Sequence, residues 1–260
     1  PLAGERFVLH VGEEVRAGVL DGDGHAVVTI DPGAAATIAF PDVRDVGPSS
    51  GAAPAPAQNG AVGTRTHGVR AGEHLAAIAH ELGLDPAALW GHPGNEKLRA
   101  LRGDGTVLAE GDVLCYAPPA PPPALPVEVG RANTFQGRRP TLETHLRLVD
   151  GQHAPIAAEP YVARVAGEPD QAGTTDADGR LTVQHHVVAR AVCVELTRRG
   201  QTLQLALGDV DPVASVSGQA QRLAALGFSN LASYQGARGL PANGVADAAT
   251  LAELQKDFGC

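Results

Sequence analysis

The sequence predicts a multi-domain α+β protein: two copies of a small antiparallel β module, a βααβ domain between them, and a small C-terminal helical domain. Three observations predict it. Two segments with alternating apolar residues match each other along the chain. Two Pro-rich stretches bracket a segment whose apolar residues follow helical spacing. The C-terminal end carries short helical runs stopped by glycine. The expected boundaries are 1–45 for the first β module, 46–63 for a Pro/Ala/Gly linker and 64–118 for the βααβ domain. A Pro-rich linker over 119–140, the second β module over 141–208 and the helical domain over 209–260 complete the chain.

The first module opens Pro1-Leu-Ala-Gly-Glu-Arg-Phe-Val-Leu, which corresponds to Pro155-Ile-Ala-Ala-Glu-Pro-Tyr-Val-Ala. After a one-residue insertion, Gly18, Asp21, Asp23 and Gly24 correspond to Gly173, Asp176, Asp178 and Gly179. Phe7, Leu9 and Val11 alternate with polar residues, as do Leu181 and Val183, which is the period of a half-buried strand. The Asp-Gly-Asp-Gly and Asp-Ala-Asp-Gly pieces suit a hairpin, with Gly at the positive-φ position and Asp bonding the local backbone. Their paired carboxylates also fit the start of a calcium loop, but an EF-hand needs a further ligand where Gly stands and a Glu at its end. The turn is the expected reading. The second copy has a preceding strand, Thr144-His-Leu-Arg-Leu-Val, ending at Asp150-Gly151, and the first has none. Either the chain begins inside a domain, or a partner donates a strand, because a sheet lacking a strand invites β-augmentation.

Residues 46–63 are Pro, Ala, Gly and Ser with few large apolar side chains, the composition of a flexible linker. Residues 117–126 contain a proline run that reads as a semi-rigid spacer. Between them, Leu75, Ile78, Ala79 and Leu82 fall on one helical face, and Gly83 ends that helix. Asp85-Pro86 begins the next as N-cap and first helical residue. Asn95 is placed to cap a further turn over residues 96–101. Val113 and Cys115 are expected on one side of a closing strand, with Leu114 and Tyr116 on the other.

This strand–helix–helix–strand text resembles a LysM domain, a small module that binds N-acetylglucosamine-containing glycans. The resemblance implies a glycan-binding surface at Gly72, Glu73, His74 and Leu75, with Asn95 nearby. Where most members carry Gly-Asp-Thr-Leu, this chain has Gly72-Glu73-His74-Leu75 and so lacks the Thr hydroxyl that caps the first helix. The longer Trp90-x-His92-Pro93-x-Asn95-x-x-Leu98 form looks like LysM modules of proteins linked to type VI secretion and other contractile injection systems. The accompanying β module of those proteins carries the signature seen here as Pro160, Tyr161, Gly173, Thr175, Asp176, Asp178 and Gly179.

At the C-terminal end, Ala220, Leu223 and Leu226 form a short helix stopped at Gly227. Asp247 is placed to cap a last helix bearing Leu251, Leu254 and Phe258 on one face. Gln221-Arg-Leu, Leu226-Gly, Tyr234-Gln235, Gly239-Leu240 and Gly244-Val make this end similar to the three-helix peptidoglycan-binding domain. The Asp-Gly-x-x-Gly-Pro turn that lines that family's groove is missing.

A net charge of −9 argues against a nucleic-acid partner and against a polybasic membrane anchor. No apolar run approaches the roughly 18 residues of a membrane helix, and no charged-then-apolar start resembles a signal peptide. Aromatic residues are 3% of the chain, so the cores must be built from Ala, Val and Leu. Cys115, Cys193 and Cys260 lie too far apart for a zinc motif, and an odd count speaks against a disulfide framework. Cys115 and Cys193 are expected as buried free thiols, and Cys260 as an exposed one. No nucleophile elbow, zinc-protease helix or phosphate loop is present, and His185-His186 on one strand point to opposite faces. The expectation is therefore a protein that is not an enzyme and uses no cofactor or metal. Two functions fit the resemblances. One is a scaffold or adaptor of a contractile injection apparatus that contacts peptidoglycan or spike components, made in the bacterial cytoplasm and exported by that apparatus to the envelope or outside. The other is a dedicated peptidoglycan- or N-acetylglucosamine-binding cell-wall protein.

Overall fold

A computed structural model describes residues 2–48, 63–103 and 105–259. In chain order its first elements are β1 (Arg6–Val11), β2 (Glu14–Val19), β3 (Ala36–Ala39), β4 (Arg44–Pro48), β5 (Arg65–Gly68), α1 (Leu75–Glu81), α2 (Pro86–Gly91) and α3 (Glu96–Arg102). Next come β6 (Val113–Tyr116), β7 (Leu125–Val127), β8 (Phe135–Arg138), β9 (Thr141–Arg147), β10 (Pro160–Arg164), β11 (Gln171–Thr174) and β12 (Arg180–His186). The chain ends with β13 (Ala191–Leu196), β14 (Gln201–Ala206), α4 (Val216–Ala225), α5 (Leu231–Ala237) and α6 (Ala248–Phe258). The mixture of helices with small antiparallel sheets is α+β.

The chain divides into two compact units. One comprises Pro1–Arg65, Ala79–Ala88 and Tyr116–Pro140, and the other Thr66–Ile78, Leu89–Cys115 and Thr141–Cys260. These two units divide the chain otherwise than the six expected segments, with residues of 64–118 falling in both.

In the first unit the strand order is β2-β1-β3-β7, with a separate β4-β8 pair. Among the described residues, parts of both expected linkers form strands. Val46 of β4 is buried, inside the stretch expected to be a linker, while 49–62 lie outside the described residues. Residues 119–140 supply β7 and β8. Leu125 buries its side chain fully, and Pro126 sits on the outermost strand of the sheet, where no ladder N–H is required of it. Burying a leucine contributes about 2 kcal/mol, so a single well-placed apolar residue can recruit a Pro-rich segment into a sheet. Phe135 packs at 5.6 Å, tilted, on Phe40.

The second β module, in the other unit, is a two-layer sandwich. Strands run β11-β10-β13-β14 in one layer and β12-β9 in the other, around Ala163, Leu181, Val183, Val192, Val194 and Leu196. Local geometry is shared with the first module. Phe7 lies across from Gly18 in β1–β2, and Tyr161 across from Gly173 in β10–β11. In each case the ring covers the glycine so closely that a Cβ there would overlap it. Asp21 accepts the backbone N–H groups of Asp23 and His25 at 3.0 and 2.8 Å, and Asp176 accepts those of Asp178 and Arg180 at 2.9 and 2.7 Å.

These turns do not make the hairpins expected of them. β11 lies in the four-stranded layer and β12 pairs with β9, so the Asp176–Arg180 turn carries the chain from one layer to the other. A sandwich core needs apolar side chains from both layers, and a hairpin would have left Leu181 and Val183 in the wrong sheet. Gln171 bridges the layers, with its amide bonded to the backbone N–H and C=O of Gln184.

The helical end of this unit packs Leu223, Tyr234 and Leu254 together. Ser215, Asn230 and Asp247 cap α4, α5 and α6 by accepting the N–H groups of Gly218, Ser233 and Thr250. Gly227, at φ +80°, supplies the left-handed stop after α4.

Candidate functional site

The five residues expected to touch glycan lie around the start of α1 and before α3. Within the second unit β5 pairs with β6, and a turn at Gly72, φ +73°, leads into α1. Glu73 faces inward. Its Oε2 accepts the Arg70 N–H at 2.9 Å and lies 2.9 Å from His67 Nε2. Burial opposes ionisation of this carboxyl, but the Arg70 N–H and His67 outweigh it and hold Glu73 below its usual range.

His74 stands at the start of α1 as a capping side chain. Its Nδ1 accepts the Ala77 N–H at 3.4 Å, a long bond in the place where a capping hydroxyl would sit. The ring also stands against Gly208, where a Cβ would overlap its edge. The Gly72 carbonyl accepts a hydrogen bond from the Arg190 guanidinium. The Gly72–His74 turn is therefore covered by Arg190, Gly208 and Asp209, at the exit of the second β module.

Asn95 is 1% exposed and does not cap α3 as expected. Its Nδ2 donates to the carbonyls of Leu89 and Cys115 at 2.8 and 2.9 Å, and its Oδ1 accepts the Cys115 N–H at 2.6 Å. The side-chain amide thus pairs with both backbone groups of one β6 residue, as a neighbouring strand would. Leu75 is half-buried at the start of α1. Between α3 and β6, Arg102 clasps Asp112 at 2.8 and 2.9 Å, and Asp112 also accepts the Ala109 N–H.

The remaining sequence candidates have structural roles. Thr175 accepts the Glu159 N–H and donates to the Ile156 carbonyl. Gly179, at φ +75°, passes so close to the Leu148 carbonyl that no Cβ fits. His185 is buried, with Nε2 at 2.9 Å from Thr144 Oγ1, and bonds the His186 carbonyl through Nδ1. Cys115 and Cys193 are free and half-buried, more open than expected, and Cys260 lies outside the described residues. Asp21, Asp23 and His25 bring three metal-capable atoms within 4.8 Å of one another, all exposed. Asp21 is already turned onto its own backbone, and in the second module Arg180 replaces His25 and pairs with Asp178. That pattern is a turn.

Three features escaped sequence reasoning. Glu159 is buried and accepts the N–H groups of Arg198 and Arg199 at 3.1 Å each. Arg222 is buried, donates to the carbonyls of Asp211 and Gly218, and lies over the Phe258 ring. The third is the cover over Gly72, which joins residues more than a hundred positions apart. Glu159 had a local signal, because it matches Glu5 of the first module, which pairs with Arg139 at 2.6 Å. No helix among the described residues is long and apolar enough to cross a membrane.

Compared with protein-family models, curated proteins and solved structures, the chain matches none of them.

The His74 contact carries a pH dependence. Burial lowers its pKa first, the Arg190 charge lowers it further, the Val187 backbone opposes, and His185 lowers it again. The folded protein thus prefers neutral His74, while the unfolded chain takes up a proton near the ordinary histidine pKa of about 6.5. Stability from this contact is complete above that value and falls as pH drops through it. We expect the urea midpoint to fall between pH 7.5 and 5.5 in the native chain, and to fall less in His74→Asn, which keeps a capping oxygen but has no proton to take. An equal fall in both would assign the effect to other histidines.

Proposed function

We propose that this protein is a non-catalytic, multi-module scaffold or adaptor associated with a bacterial contractile injection apparatus of the type VI kind. In this reading the central segment is a LysM-like module and the C-terminal helices a peptidoglycan-binding-like module, both serving as docking folds. One observation carries the reading: the polar groups that a glycan would use at Gly72, Glu73, His74 and Asn95 are spent on internal hydrogen bonds or covered by Arg190 and Gly208. A sugar hydroxyl would have to displace charge-assisted and buried bonds, each worth about 1–3 kcal/mol. The same saving of polar groups for the fold is seen in the C-terminal helices, where Gln235 and Thr250 bond to each other and not to solvent.

The chain's net charge of −9 supports partners other than nucleic acid. Its expected partners are spike components of the apparatus, with peptidoglycan contacted in passing.

Co-sedimentation with purified peptidoglycan tests the reading against the dedicated cell-wall binder. At tens of micromolar the chain is expected to stay in the supernatant while it co-elutes with a purified spike trimer in gel filtration. Retention on peptidoglycan that free N-acetylglucosamine oligomers compete away, with no co-elution, would overturn it in favour of the wall-binding protein.

A further inference from the structure

One short segment touches three parts of the second unit. Residues 207–212, Leu-Gly-Asp-Val-Asp-Pro, run from the end of β14 toward α4. At the start, the Leu207 N–H bonds the Arg190 carbonyl at 2.9 Å, and the Leu207 side chain is buried in the sandwich core. The next two residues lie on the Gly72–His74 turn. Gly208, at φ +75°, is so close to the His74 ring that a Cβ would overlap it, and the Asp209 carboxylate stands beside Gly72. From there on the segment is held by α4. The Gln221 amide brackets it, donating to the Asp209 carbonyl at 3.2 Å and accepting the Asp211 N–H at 2.7 Å. Arg222 donates to the Asp211 carbonyl at 2.6 Å, and Ser215 Oγ to the Pro212 carbonyl at 2.7 Å.

We propose that residues 207–212 form a strap that couples α4 to the cover over the Gly72–His74 turn: α4 in place keeps the turn covered, and displacement of α4 uncovers it. The proposal rests on these contacts alone and stands apart from the adaptor reading.

The strap is fixed at one end and carried at the other. Leu207 is anchored by its burial and by the Arg190 carbonyl, so it stays with the sandwich. Asp209, Asp211 and Pro212 are bonded through their backbone groups to three side chains of α4 and its cap, so they move with the helix. Gly218 strengthens that hold. It lies so close to the Asp211 and Pro212 carbonyls that no Cβ fits, and the first turn of α4 therefore rests directly on strap backbone. Between the fixed and the carried parts stands Gly208, the residue with the widest choice of backbone angles. A shift of α4 is taken up there, and Gly208 is the residue that lies on His74.

The helices have a second hold on the β module, at the other end of α4. The His153 ring stacks on Phe228 at 4.9 Å, beside Gly227. That contact does not involve the strap, so the two holds can be separated by substitution. Coupling between two sites is reciprocal. A partner that draws α4 off the strap releases the Gly72 carbonyl and His74, and one that grips the uncovered turn loosens α4.

The test is amide exchange followed by NMR on the whole chain. Gln221→Ala cuts the strap from α4 and leaves the bonds of the turn in place. Exchange of the Ala77 and Ile78 N–H groups, both bonded to His74, is expected to speed by about fivefold or more, the low end of coupling between sites. Arg190→Ala, which frees the Gly72 carbonyl, is expected to speed the Asp211 N–H by a similar factor. In the double variant the two effects should fall short of their product. His153→Asn loosens only the other hold and should leave Ala77 and Ile78 unchanged, and Val194 in the sandwich core should be unchanged in every variant. Should α4 itself loosen in Gln221→Ala, Gln221→Glu reads the same coupling at a smaller factor, because it keeps the acceptor for Asp211 and loses the donor to Asp209. Unchanged exchange at Ala77 and Ile78 in both Gln221 variants would overturn the proposal. So would effects that simply multiply, or an equal acceleration in His153→Asn.

Discussion

Asn95→Ala is expected to destabilise the chain around β6 by about 3 kcal/mol, more than any loss of ligand contact could explain. Alanine removes three hydrogen bonds at once and leaves the Cys115 N–H and C=O without their partner in the interior. The Leu89 carbonyl keeps a second donor, the His92 N–H at 3.3 Å, so it adds little to the loss. An orphaned buried backbone group costs about 1–3 kcal/mol, and two of them set the expected size. Trp90, the single tryptophan of the chain, is a local reporter. It lies over Gly105, and its carbonyl accepts a bond from Arg99. Urea unfolding followed by Trp90 fluorescence should show an earlier midpoint in the variant, with slope unchanged. A shift below about 0.5 kcal/mol, the ordinary size of a surface substitution, would mean that water replaces the amide. The consequence for function is direct: loss of any glycan retention in Asn95→Ala would report unfolding and not recognition. A substitution that frees Gly72, such as Arg190→Ala, is the sharper probe.

The secondary structure was legible where local signals act alone. Asp85 accepts the Ala88 N–H, Asp247 that of Thr250, and Gly83 and Gly227 take the left-handed stops, all through interactions within four residues. The readings that changed depend on distant partners. Asn95 had the sequence position of a cap, yet Cys115, twenty residues away, competes for the same amide and wins with two bonds. The Asp-x-Asp-Gly turns have hairpin chemistry, but which sheet receives the outgoing strand is decided by β9, which no turn residue encodes. Leu125 and Phe135 are isolated apolar residues in proline- and charge-rich text, and only the sheet that receives them gives them meaning. The candidate site was legible as a turn and a helix start. Its cover was not, because Arg190 carries no mark that distinguishes it from other exposed arginines.

The second large effect is expected at Gln235, which is 0% exposed. Its Nε2 donates to the Val245 carbonyl at 2.9 Å and to Thr250 Oγ1 at 3.0 Å, and its Oε1 accepts the Gly244 N–H at 2.8 Å. One side chain from α5 thus pins the loop that leads into α6. Gln235→Glu conserves volume and the acceptor for Gly244, and so separates hydrogen bonding from packing. It replaces the amide donor by an oxygen facing the Val245 carbonyl, in a site that excludes water. At neutral pH we expect a loss of about 3 kcal/mol, the size of an unpaired buried polar group or more. The glutamic acid form restores a donor toward Val245, so its folded pKa is raised above the ordinary value of about 4.3. The sign follows: the deficit is largest at neutral pH and shrinks as pH falls toward the unfolded pKa, the reverse of the trend expected for His74. Hydrogen exchange across residues 240–258 should show the opening at pH 7 and its partial reversal near pH 5. A deficit that grows on acidification would place the cost in packing around Tyr234 and Leu254, and not in the amide donor that holds α6 to α5.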